Sequence, residues 1–372
     1  MKILEIKATG FKNCVDNFCL NFIAQSKKTS EDKEYELLEI DDGLYVYSTV
    51  GIVGKNASGK TSTLELLDWC YDILGTFRLS EKNSNYHGVY LEILFYENGY
   101  IYKYITELDN ADTLEDRAVF LNQQLFRKKY YKTKLKQIMT EEWRERADIY
   151  GEVPEDFSIV YFVLKKAMIR EIFYNLTTDC EQGYPTAFKF MQYGGLDACI
   201  MTHVLRIFDD NITALKQMDD NHYLLTYQGE ERQYSERELY HFLSSGTTKG
   251  INLYILAAFS LKKGFDLIID EIENHFHKTL VENLVLLYKD KQVNRHNATL
   301  YFSTHYCEIL DLFNRSDNIW VTHSKGKVEI SNMYETYGIR TELLKSKKFY
   351  QNAFDTAVNY EALMELKKDL MQ

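Results

Sequence analysis

Proline is almost missing: the 372 residues hold two, Pro154 and Pro185, both in mid-chain. That leaves no proline-rich linker and no low-complexity tail, although the length and a 45% hydrophobic content suffice for two to three structural units. No internal repeat is present. The six cysteines (Cys14, Cys19, Cys70, Cys180, Cys199, Cys307) are scattered, and the one close pair, Cys14 and Cys19, has no C-x-x-C partner. Reduced, mostly structural thiols are expected, with no zinc. Long apolar runs are also lacking: the longest uncharged one, Ile251 to Leu261, falls far short of the roughly 20 residues of a membrane span. Glu5 and Lys7 stand where a leader would be apolar. A cytoplasmic protein without membrane contact is the expectation. Basic charge is in deficit, with a net charge of -11, which excludes a surface coated in cations for nucleic acid but leaves room for a local patch.

Against that background one segment stands out. Residues 44 to 53, LYVYSTVGIV, form a β-branched and aromatic run ending in Gly54-Lys55-Asn56-Ala57-Ser58-Gly59-Lys60-Thr61, followed by Ser62 and by Leu64, Leu67, Tyr71 and Leu74 at helical spacing. Strand, G-x-x-x-x-G-K-T loop and helix in that order make a phosphate cradle: glycines turn successive N–H groups toward the anion, and the helix start adds partial positive charge. The pattern assigns Gly54, Asn56, Ser58, Gly59, Lys60, Thr61 and Ser62 to nucleotide, with Lys60 on the terminal phosphates and the Thr61 hydroxyl on Mg²⁺. The absence of an N-K-x-D motif argues against a guanine nucleotide.

Three further motifs follow in order. Leu243-Ser244-Ser245-Gly246-Thr247 precedes a helical run, Ile251 to Leu261, and resembles the L-S-G-G-Q signature of ABC ATPases. Ser244, Ser245 and Gly246 at a helix start would form a second anion site. The apolar strand Phe265 to Ile269 runs into Asp270-Glu271, a Walker B arrangement in which Asp270 holds Mg²⁺ through water and Glu271 faces the attacking water. A base so placed is typically worth about 10²- to 10⁴-fold. Ile272-Glu273-Asn274-His275-Phe276-His277 resembles a D-loop, and a second strand, Ala298 to Phe302, ends at Ser303-Thr304-His305, which matches a histidine switch.

With these motifs in order the chain resembles the ABC-type AAA ATP-binding proteins of bacterial abortive-infection and phage-defence loci, relatives of the overcoming-lysogenization-defect, RecF and SMC-head ATPases. The resemblance implies an α/β P-loop NTPase fold, a β-rich N-terminal lobe with an inserted domain, ATP and Mg²⁺ as cofactors, and catalytic roles for Glu271 and His305. It also implies a homodimer, or a higher oligomer, closing on ATP so that each signature holds its partner's γ-phosphate. The opening Ile3 to Asn13 is similar to that group's first strand and G-F-[KR]-S turn, which makes Lys12 a candidate nucleotide contact. The signature departs from the pattern at Ser245 and Thr247. The metal-contacting glutamine is assigned to Gln124, with Gln123 the other choice. No D-x-D pair occurs in the 67 residues after His305, too few for the Toprim nuclease that overcoming-lysogenization-defect proteins carry, so no nuclease activity is expected and a separate effector is implied.

Three regions are expected: an ATPase N-lobe over 1–124, an inserted helical domain over 125–235, and an ATPase C-lobe over 236–372. In the insertion, Arg127 to Lys136 (RKKYYKTKLK) gathers six cations with two tyrosines, a candidate contact for nucleic acid or an acidic partner as well as an ordinary solvated face. A dimeric ATP switch in phage defence, a RecF- or SMC-like ATPase acting on DNA, and a nucleotide-gated scaffold all remain open at this point.

Overall fold

The computed structural model describes residues 1–80, 84–111, 117–168, 170–175, 183–274, 277–339, 344–351, 354 and 360–371. The chain opens with β1 (Lys2–Thr9) and β2 (Phe18–Asn21), a hairpin of β3 (Leu37–Asp41) and β4 (Leu44–Tyr47), and the buried β5 (Thr49–Val53), which feeds α1 (Lys60–Gly75). Strands β6 (Val89–Glu97), β7 (Tyr100–Asn110) and β8 (Ala118–Lys129) then join β1 and β2 in an antiparallel sheet of order β2-β1-β6-β7-β8. Glu97 pairs with Tyr100 around Asn98-Gly99, whose φ angles of 47° and 83° are those a two-residue turn between right-twisted strands requires.

Short helices α2 (Leu135–Thr140) and α3 (Tyr161–Leu164) lead to β9 (Glu171–Asn175). Beyond it come α4 (Gly183–Gly194), α5 (Ala198–Phe208), a three-stranded meander of β10 (Ile212–Gln217), β11 (His222–Tyr227) and β12 (Glu230–Ser235), and α6 (Glu236–Phe242). The signature helix α7 (Ser245–Lys263), β13 (Asp266–Asp270), α8 (Lys278–Lys289), β14 (Leu300–Thr304), β15 (Ile319–Lys325), β16 (Lys327–Asn332), α9 (Met333–Tyr337), α10 (Lys345–Tyr350) and α11 (Tyr360–Asp369) complete the chain.

The second sheet has the order β16-β15-β5-β14-β13-β9, parallel from β15 to β9, with β16 antiparallel at the edge. Helix α1 lies between the two sheets. Leu64, Leu67, Tyr71 and Leu74 are buried as their spacing requires, but so are Leu66, Trp69, Cys70 and Ile73. Trp69 packs edge-on against Phe11, and the Tyr71 hydroxyl donates to Asp266 at the start of β13. A helix covered on both faces is apolar nearly all round.

The stretch 125–235 is not a helical unit. Its first part continues β8 and folds back on the N-terminal sheet, with Ala147 N–H donating to Leu125 O and Arg127 N–H to Glu145 O. Strand β9 then enters the parallel sheet, and residues 183–235 mix two helices with a three-stranded sheet. Burial explains the difference: Tyr223 and Leu225 of β11 point into the same core as Tyr184, Met201 and Leu205 of the helices, and that tertiary contact outweighs weak local propensity. No helix among the described residues is long and apolar enough to cross a membrane.

Candidate functional site

The carboxyl ends of β5, β14 and β13 carry the P-loop, His305 and Asp270-Glu271, and their register brings Thr304 beside Val53 and Ile269 beside Phe302. This edge is where open parallel sheets bind ligands. Two glycines shape the loop. A Cβ on Gly54 would overlap the hydroxyls of Thr322 and Ser58, and Gly59, at φ 98°, would drive one into Val328. Ser58 is fully buried, its hydroxyl 2.6 Å from that of Thr322 on β15, so it ties the loop to the sheet. Asn56 is exposed and Ser62 half-buried.

Helix α1 has no side-chain cap at Gly59, and Thr63 is the first residue whose N–H reaches back to the Gly59 carbonyl. The N–H groups of Lys60, Thr61 and Ser62 therefore open onto the loop. Lys60 is buried, and its ammonium donates to the carbonyls of Gly54 (3.2 Å) and Lys55 (3.1 Å) and lies 3.5 Å from His305 Nδ1. Burial pushes its pKa down, which Asp270, Glu271 and Glu273 oppose by charge.

Across the loop, Asp270 accepts the Thr61 hydroxyl at Oδ2 (2.7 Å) and the Ser303 hydroxyl at Oδ1, while Ser303 Oγ accepts the Glu271 N–H at 2.8 Å. Glu271 sits in the left-handed region at φ 50°, a conformation costing a non-glycine residue roughly 1–3 kcal/mol. Its carboxylate stands 3.8 Å from His305 Nε2. Lys60, Thr61, Asp270, Glu271, Ser303 and His305 thus form one continuous cluster. Three uncapped N–H groups with an ammonium fit a polyphosphate, and an adjacent hydroxyl and carboxylate supply the hard oxygen donors Mg²⁺ takes.

The other assigned residues make no hydrogen bond with this cluster among the described residues. Ser244 is exposed and caps α7, accepting the Thr247 N–H at 3.0 Å; Gly246 is in the first turn, and the Ser245 backbone begins the helix. Lys12 is ion-paired with Glu65 of α1. Gln124 is exposed on edge strand β8, opposite Ile105, and makes no hydrogen bond with Thr61 or Asp270 among the described residues; Gln123 bonds Tyr104, Phe157 and Ile159. The residue in register with Asp270 is Asn175, at the end of β9. The run Glu171-Ile172-Phe173-Tyr174-Asn175 carries a strand signal that was absorbed into the expected helical segment. Thr322, which bonds Ser58, had no motif to mark it, and Glu273, read only as part of the D-loop, bonds the His305 backbone. His275 and Phe276 of the D-loop, and Cys180, lie outside the described residues.

The basic segment is also differently placed. Arg127 is paired with Glu145 and Asp148, and Lys132 with Asp42, while Lys128 donates to the carbonyls of Ile138 and Glu141 over the Trp143 ring.

A family model described as "AAA domain, putative AbiEii toxin, Type IV TA system" matches residues 50–311, the span that runs from β5 past His305. The chain belongs to this family. For an AAA protein of this kind the P-loop cluster is a nucleotide site. Among solved structures, an SMC head bound to the C-winged helix domain of ScpA aligns with 91% of this chain and 100% of its own, at 12% identity and a TM-score of 0.50. At that identity the likeness is one of fold. No curated protein matches the sequence.

Proposed function

We propose that this AAA protein is an ATP-hydrolysing switch that closes as a homodimer, and that it serves as the ATPase and sensor of a phage-defence system, acting on a separate effector. The observation that carries the ATPase reading is the single cluster joining Lys60, Thr61, Asp270, Glu271 and His305. Lys60 and the α1 N–H groups bind and orient the terminal phosphates, excluding rotation of the group to be transferred. Bound Mg²⁺ would supply charge neutralisation between those phosphates, with Thr61 and Asp270 holding it. Glu271, held by Ser303 and by its own backbone geometry, takes the proton of the attacking water, and His305 contacts the γ-phosphate side of the same space.

The dimer reading rests on Ser244 and α7. An exposed serine at the start of a 19-residue helix offers a hydroxyl and N–H groups to an anion outside its own chain. The family's description as a putative AbiEii toxin and Type IV TA system favours a defence role over DNA maintenance, and the pairing of Arg127, Lys128 and Lys132 within the lobe weakens the case for nucleic acid there.

Steady-state ATP turnover with the Glu271→Gln variant tests the reading. Loss of about 10²- to 10⁴-fold is expected, with ATP still bound and a dimer accumulating in light scattering. Wild-type turnover that stays proportional to protein under dilution to monomer would refute the composite site. Purification of the ATP-locked variant from cells challenged with phage, with its neighbouring gene product scored in the bound fraction, tests the defence role.

A further inference from the structure

Glu273 lies two residues beyond Glu271 and is 8% exposed. Its Oε1 accepts the backbone N–H of His305 at 2.5 Å, while its Oε2 is buried and has no hydrogen-bond partner among the described residues. A carboxylate buried to that degree with an oxygen unpartnered is costly, and its retention calls for a compensating role.

What it holds is the turn at the end of β14. Without Glu273 the His305 N–H would be the first donor beyond the strand and would have no acceptor from the ladder, leaving the turn free to swing. With it, a charge-assisted bond fixes the Cα of His305, and the ring is placed between the Lys60 ammonium at 3.5 Å from Nδ1 and the Glu271 carboxylate at 3.8 Å from Nε2. The neighbouring Ile272 N–H donates to Ser303 O, so the Asp270–Glu273 turn and the Ser303–His305 turn are joined by a backbone bond and by the Glu273 side chain.

We propose that Glu273 is the positioning residue of the histidine switch: it carries no chemistry itself but holds the His305 backbone so that the ring engages Lys60 and Glu271 together. The inference rests on the ATPase reading above.

The test is ATP turnover and nucleotide affinity for wild type, Glu273→Ala, Glu273→Gln, His305→Ala and the double variant His305→Ala/Glu273→Ala. The alanine variant should lose turnover on the order of 10²-fold, as misplacement by about an ångström does, with affinity for a fluorescent ATP analogue within about 3-fold of wild type. The glutamine variant, whose carbonyl still accepts the His305 N–H, should recover most of that loss. The double variant should be no slower than His305→Ala alone, because a residue acting through His305 has nothing left to position. Additive losses, or an affinity that falls as far as turnover, would overturn the proposal in favour of a general structural role. Glu273→Leu fills the same space without an acceptor and serves in place of alanine if that variant does not fold. A wild-type protein without turnover overturns the ATPase reading; turnover that is normal in both wild type and Glu273→Ala overturns this inference alone.

Discussion

Thr61 and Asp270, 209 residues apart in the chain, meet through a 2.7 Å hydrogen bond from the threonine hydroxyl to Oδ2 of the carboxylate. The other carboxylate oxygen takes the Ser303 hydroxyl, and that serine in turn accepts the Glu271 N–H. Three motifs from distant parts of the sequence are therefore oriented by one another, and groups held in place in this way need less reorganisation during a reaction.

Removing the Thr61 hydroxyl should reveal this arrangement. Thr61→Val is expected to lower ATP turnover by roughly 10- to 100-fold, as loss of an oriented metal-site partner does, and to shift its Mg²⁺ dependence to higher concentration. Chelation with EDTA should abolish turnover in the unaltered protein. A titration of turnover against MgCl₂ checks both, and an unchanged Mg²⁺ dependence would remove Thr61 from the metal site.

Stability should depend on pH through Glu171, at the start of β9. Burial, with added repulsion from Asp72 and Asp266, pushes its carboxyl from 4.5 up to about 8 against an opposing hydrogen bond with Asp68. The fold thus favours the protonated acid. That contribution is fully present below about pH 4.5, declines as the unfolded chain ionises, and is lost as pH rises through about 8. Melting temperatures of Glu171→Gln and the unaltered protein should be close at pH 5 and diverge by pH 9, with the glutamine variant the more stable. Parallel curves across that range would contradict the assignment.

Arg315 is 1% exposed and bonds Asp317, Asp32 and the Ser26 hydroxyl and carbonyl, clamping the 26–32 segment to the β15 approach. The burial that would raise the Asp317 carboxyl is outweighed by this guanidinium, and the carboxyl ends below its ordinary range. Arg315→Ala leaves two buried carboxylates without their cation, so urea unfolding should report a loss of about 3–5 kcal/mol. Nucleotide affinity of the folded fraction should not change, because none of these residues touches the P-loop.

Lys128 should behave as a structural lysine. It donates to two carbonyls at the end of α2 and covers Trp143 at 4.5 Å, and burial lowers its pKa. Lys128→Ala is expected to cost about 1–2 kcal/mol in urea unfolding, while the salt dependence of any nucleic-acid binding stays the same. A flatter salt slope with unaltered stability would restore the segment as a nucleic-acid contact.

Local order along the chain determined the motifs themselves. A β-branched strand, the G-x-x-x-x-G-K-T loop and an apolar helix can be read within thirty or so residues because each depends on φ freedom, N–H direction or side-chain period, all properties of neighbours in sequence. The same holds for Asp270-Glu271 after its strand, for the capped start of α7 and for the Asn98-Gly99 turn. Which side chains complete the site was decided only by tertiary structure. Thr322 meets Ser58 from a strand 264 residues away, and Glu273 reaches His305 because β13 and β14 are neighbours in a parallel sheet. Gln124 falls on one sheet and Asn175 comes into register with Asp270 on the other, because β8 belongs to the antiparallel sheet and β9 to the parallel one. Strand partners are chosen by burial of whole faces against a common core, a property of the assembled layers that no local pattern records.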